Sequence, residues 1–130
     1  MNFEFFLILC GIIFLCGIVF LLRKKNPRIS QKNLQIFAEK IRATKKLAPA
    51  HSLIESHKIF VAAIKKIGDK NLTAAKNIAK FSKNFPNEKK IWQLHRLRNC
   101  AAHETDFSFS EKNAAAARTE FLRALRAISE

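Results

Sequence analysis

Eighteen consecutive residues without a charge, Phe5 to Leu22, constrain this 130-residue chain more than any other feature. Leu, Ile, Phe and Val fill the run almost throughout. As an α-helix rising about 1.5 Å per residue it reaches about 27 Å, close to the hydrocarbon thickness of a bilayer. Arg23-Lys24-Lys25 and Arg28 follow at once, and no Lys or Arg precedes the run. Residues 1–22 therefore read as a transmembrane anchor and residues 23–30 as a basic juxtamembrane linker. The positive-inside rule places the short N-terminus outside and the C-terminal part in the cytoplasm, a single span of an inner or plasma membrane. A cleaved signal peptide needs a positive n-region and a small-residue cleavage site, and neither is present. Leu7-Ile8-Leu9-Cys10 approaches a lipoprotein cleavage box, but Leu9 is too large for its last position.

The remaining residues, 31–130, suffice for one modest core but not two. Gly11 and Gly17 lie in the apolar run, which leaves Gly68 alone beyond it. One glycine cannot build a phosphate-cradling loop, and the scarcity of Gly and Pro argues against an all-β fold. From Arg23 onward the chain holds all 24 of its Lys and Arg against nine of its ten acids, an excess of about fifteen positive charges. A small domain that basic attracts a polyanion, either nucleic acid or an anionic membrane surface; a merely solvated lysine-rich surface is the plainer alternative. Cys10 and Cys16 fall in the apolar run and Cys100 in a reducing compartment, so no disulfide framework follows.

Hydrophobic spacing predicts helices throughout. Asn26-Pro27 breaks the apolar helix, and Ser30 is the N-cap of a helix to about Lys46, with Leu34, Phe37, Ala38 and Ile41 inward. Pro49 punctuates, and a second helix covers about Ala50 to Ile67 with a stripe of Leu53, His57, Phe60, Val61 and Ile64. Gly68-Asp69 ends it. A third covers about Leu72 to Phe81, with Leu72, Ala75, Ile78 and Ala79 inward. Asn87 caps a fourth, running through Trp92 to about His103. After a polar loop carrying Phe107 and Phe109, Ser110 caps a last helix with Ala114, Ala117, Phe121, Leu125 and Ile128 apolar. The expected fold is all-α: an N-terminal transmembrane helix, then an antiparallel four- to five-helix bundle over residues 31–130.

One constellation carries chemistry: Arg98-Asn99-x-x-x-His103, late in the fourth soluble helix. An imidazole near its ordinary pKa can take a proton from an RNA 2′-hydroxyl or give one to the leaving oxygen. A guanidinium can hold the phosphate and its developing charge, and Asn99 can position either group. These residue types call for no metal or other cofactor. At about 100° per residue His95, Asn99 and His103 share a stripe, while Arg98 lies roughly 140° from His103. Closing that gap takes a helix bent or terminated near Ala102, or a second copy supplying its own motif.

This motif, late in a helical bundle and followed by one more helix, resembles that of the HEPN superfamily: an Arg, a polar neighbour, and a His four to six residues on. The wider stretch Trp92 to Glu104 also looks like small bacterial single-pass proteins with this layout. The resemblance implies a homodimer joined through the motif helices and, for active members, metal-independent endoribonuclease activity. It implies catalytic roles for Arg98 and His103, with Asn99 supporting.

Other constellations carry less. His103-Glu104 opens an H-E-x-x-H zinc motif, but Phe107 occupies its last position. Cys100 with His103 gives two ligands where zinc wants four, and no third group marks them as a nucleophilic pair. His57 reads as a core histidine and Trp92 as core or dimer interface. Arg98 has a structural alternative, an ion pair with Glu55, and His103 could simply cap the helix. Lys89, Lys90, His95 and Arg96, with Arg23, Lys24 and Lys25 near the membrane, are the expected contacts to RNA or lipid. Lys45-Lys46 and Lys65-Lys66 also fall near helix ends. The favoured function is RNA binding with cleavage by the Arg/His pair. The rival is a non-catalytic module that docks protein or anionic lipid at the inner membrane surface. Neither involves a sequence-specific DNA partner.

Overall fold

Helix α1, Phe3–Leu22, is apolar on every face and buries none of its residues against the rest of the chain. The computed structural model describes residues 2–23 and 26–130, so the contacts expected of Lys24 and Lys25 lie outside the described residues. The described chain is all-helical. It has six α-helices: α1, then α2 (Gln31–Ala43), α3 (Pro49–Ile67), α4 (Ala74–Phe81), α5 (Glu88–His103) and α6 (Glu111–Ala127). By length and composition α1 could cross a membrane.

Two expected caps form, at Ser30 and Ser110, and Thr73 supplies a third that was not expected. The Ser30, Thr73 and Ser110 hydroxyls accept from the amides of Asn33, Lys76 and Asn113 at 3.3, 3.3 and 3.1 Å, each satisfying a free donor of a first turn. Pro49 occupies the first turn of α3, where its missing N–H costs nothing. The third helix was expected from Leu72; Thr73 delays it to Ala74.

One boundary and one cap differ for a side-chain reason. The α-helix expected to reach Lys46 stops at Ala43 and tightens into a 3-10 turn over Thr44–Lys46. There the buried Thr44 hydroxyl donates to the Ile41 carbonyl at 2.7 Å, a local bond that competes with the helical ladder. Asn87 holds the N-cap position of α5 but makes no capping bond. Its amide donates instead to the Glu120 carbonyl at 3.0 Å, fastening α5 to α6.

Helix α3 is the hub, packing against α2, α4, α5 and α6. Its expected stripe is buried, and Phe60 stacks on Phe121 of α6 at 5.0 Å between centroids. Ile41, Ile64, Ile78, Ile91 and Leu125 close the core around them. Polar groups also enter it. Arg118 of α6, 7% exposed, donates to the Ser52 hydroxyl and the Glu111 carboxylate, each at 2.7 Å, and Ser52 meets Thr44 at 3.1 Å. Asn77 was missed as a core residue, while Ala79, expected inward, is exposed. The Asn77 amide donates to the carbonyls of Asp69, Leu72 and Thr73 and accepts from the Asp69 amide, so one side chain satisfies the α3–α4 turn.

The basic linker ends sooner than composition suggests. Ile29 is buried, and its N–H donates to the Ile128 carbonyl while its own carbonyl accepts from Glu130, both at 2.9 Å. The resulting isolated parallel bridge, Ile29 to Ser129, draws the start of the helical domain to its C-terminal end.

Candidate functional site

The sequence stripe of α3 and the motif helix α5 lie side by side, and their spacings decide what meets. His57, Val61 and Lys65 succeed one another at four-residue intervals on α3, with Lys58 and Ala62 alongside. On α5, His95 and Arg98 are three residues apart and share a face. These two faces, with Ala74 at the start of α4, line a cavity of about 290 Å³.

Among the lining residues, His57 Nε2 and His95 Nδ1 share a hydrogen bond of 3.0 Å. Phe121 meets His57 edge-on and Trp92 meets His95 edge-on, at 5.9 Å in each case. Burial, then the neighbouring His95 and Arg98, lowers the His57 pKa to about 3. Burial, then Arg98 and Arg96, lowers that of His95. His57 is therefore neutral at physiological pH, and one of the two paired nitrogens donates while the other accepts.

Arg98 is half-buried. One guanidinium nitrogen donates to Asn99 Oδ1 at 3.1 Å, and its buried Nε–H has no partner. The ion pair with Glu55 considered from sequence does not form: Glu55 pairs with Lys58 of its own helix at 3.8 Å, and no acid reaches Arg98 among the described residues. A buried donor without an acceptor costs about 1–3 kcal/mol.

His103 is elsewhere. Helix α5 continues without a break to His103, and the Glu104 amide still bonds the Cys100 carbonyl at 2.8 Å. The bend or termination near Ala102 that would have carried His103 toward Arg98 is absent. His103 is exposed in the last turn and does not line the cavity beside Arg98. Arg96, Lys89, Lys90 and Arg23 are exposed as solvent-facing cations. The Cys100 thiol pKa is raised, chiefly by a hydrogen bond with Glu104, which disfavours the thiolate a nucleophile needs. Among the described residues no group of three or more His, Cys, Asp or Glu could hold a metal ion.

The structure thus joins two of the sequence-derived residues, His95 and Arg98, to three others: His57, Lys58 and Lys65. His57 was legible as a buried histidine on an apolar stripe. Its adjacent Lys58, with Lys65 two turns on, was the available signal for a cationic edge. Comparison with known protein families, curated proteins and solved structures returns no match for this chain.

Proposed function

We propose that this chain is a membrane-tethered, cytoplasm-facing antiparallel helical bundle that binds RNA and cleaves it through an Arg/His pair without a metal. The observation that carries the reading is Arg98: half-buried, unpaired with any acid among the described residues, and beside a cavity bordered by Lys58 and Lys65. The chain's net charge of +14 would draw a polyanion to such a point. Arg98 would hold the scissile phosphate, with Asn99 steadying the guanidinium by the bond it already accepts. His103 would take the 2′-hydroxyl proton or protonate the departing 5′-oxygen. The 2′-oxygen attacks phosphorus as the P–O5′ bond breaks, leaving a 2′,3′-cyclic phosphate and a 5′-hydroxyl.

Since α5 is unbroken, this pairing requires His103 from a second copy, in a homodimer that sets two α5 helices together as the HEPN resemblance implies. A non-catalytic docking module for protein or anionic lipid is the second reading. It is favoured by the separation of His103 from the cavity within one chain. The deciding experiment is RNA cleavage by the full chain in neutral-lipid nanodiscs with EDTA, beside Arg98→Ala and His103→Ala. Metal-independent cleavage lost in both variants supports the nuclease. No cleavage by a folded dimer across varied RNAs transfers the function to docking.

A further inference from the structure

We infer that the cavity between α3 and α5 is itself a phosphate-binding pocket, complete in a single chain, which holds one phosphate group among Arg98, Lys58 and Lys65 beside the His57–His95 pair. It shares Arg98 with the reading above, but requires neither a second copy nor an RNA chain.

Four observations carry it. The cavity's charged lining is wholly cationic, Lys58, Lys65 and Arg98, with no carboxylate among its lining residues. Arg98 lines the cavity with no acid paired to it, its one side-chain acceptor being the neutral Asn99 Oδ1. Lys58 is held only by an exposed 3.8 Å pair with Glu55, worth little in water, so its ammonium is free to turn toward a stronger anion. The imidazole pair supplies a neutral polar part of the wall that a fourth cation would not: His57, neutral and buried, orients the His95 ring through their shared bond. His95 is thereby positioned by His57 rather than by solvent.

The ligand's class follows from donors and size. A guanidinium fork and two ammonium groups offer more donors than one carboxylate accepts and suit the oxygens of a phosphate. Val61, Ala62 and Ala74 make the rest of the wall apolar, and about 290 Å³ is the low end for a ligand pocket. That is room for a phosphate ester with a small organic part. The same chemistry is offered by a soluble ester and by a lipid headgroup.

The test is calorimetric titration of the full chain in phosphatidylcholine nanodiscs with inorganic phosphate and with ribose 5-phosphate. Saturable binding is expected, weakened about tenfold by Arg98→Gln and severalfold by Lys65→Gln or Lys58→Gln, because each removes a charged donor. Arg42→Gln, a charge-matched change on exposed α2 away from the cavity, should leave it unaltered. The two lysine variants keep the test decisive should Arg98→Gln unfold. No saturable binding, or equal losses in Arg42→Gln, overturns the pocket. With phosphatidic acid in the discs, unchanged affinity assigns the pocket to a soluble ester, and competitive loss assigns it to a lipid headgroup; both sustain it. Absence of RNA cleavage leaves it standing, while cleavage through His103 without phosphate binding overturns this pocket alone.

Discussion

His57 of α3 and His95 of α5 are joined nitrogen to nitrogen at 3.0 Å, thirty-eight residues apart in sequence, in the wall of the cavity that Arg98 borders. Two imidazoles in one hydrogen bond need a donor and an acceptor, so the pair is intact only while at least one ring nitrogen is unprotonated. Burial and the neighbouring Arg98 both oppose protonation of either ring.

Stability should therefore fall in acid before the carboxylates titrate. His57 has a folded pKa of about 3 against 6.5 as a free group. Between those values the unfolded chain binds the extra proton, so stability is complete above about pH 6.5 and declines as pH falls toward 3. The decline from His57 alone approaches tenfold in the folded-to-unfolded ratio per pH unit, and His95 adds to it in the same direction. Denaturant melts from pH 7.5 to 4 would show the slope, and His57→Gln should flatten it. A pH-independent midpoint across that range would contradict the buried pair.

Gly68 should tolerate no side chain. A Cβ there would stand 2.5 Å from Asn77 Oδ1, 3.0 Å from the Ile64 carbonyl and 3.1 Å from the Phe81 ring. Asn77 cannot yield without giving up the backbone groups of the α3–α4 turn. Gly68→Ala should cost about 1–3 kcal/mol, as overpacking does. Equilibrium unfolding would measure it.

Arg118 should matter more for folding than Lys112, an exposed cation of the same helix. It is 7% exposed and bonded to Ser52 and Glu111, so Arg118→Ala strands the Ser52–Thr44 hydroxyl pair and opens a void. A loss of about 1–3 kcal/mol is expected, against less than about 1 kcal/mol for Lys112→Ala on the exposed surface of the same helix. Comparable unfolding midpoints for the two variants would contradict the network.

If Arg98 and His103 act across a dimer, inactive copies should rescue each other. In an equal mixture of Arg98→Ala and His103→Ala chains, half of the dimers are mixed and each holds one intact pair, so about a quarter of wild-type cleavage should return. Cleavage that stays absent on mixing, in a sample shown to exchange subunits, would place the pair within one chain or abolish its role.

Much of the fold was legible because hydrophobic spacing and capping are local. The apolar run has one low-energy conformation when it must satisfy its own backbone bonds, and that is α1. Ser30 and Ser110 cap as expected because a hydroxyl before a first turn reaches the third amide whatever surrounds it. The stripe Leu53, His57, Phe60, Val61 and Ile64 is buried because helical period alone puts those residues on one face. Where a polar side chain chose between local and distant partners, sequence was insufficient: Asn87 left its cap for Glu120, and Asn77 turned inward to the α3–α4 turn.

The candidate site divides in the same way. That Arg98 and His103 lie on different faces of α5 followed from 100° per residue and an unbroken helix, both local properties. That Arg98 instead borders His57, His95, Lys58 and Lys65 required α3 and α5 to pack, and their register is set by the whole core through Phe60, Ile91, Leu94 and Phe121. Sequence determined an apolar helix, a basic helical domain and the faces its side chains occupy. Tertiary structure alone decided which faces meet, because packing sums many weak, non-directional contacts over residues far apart in the chain, and no short pattern encodes that sum.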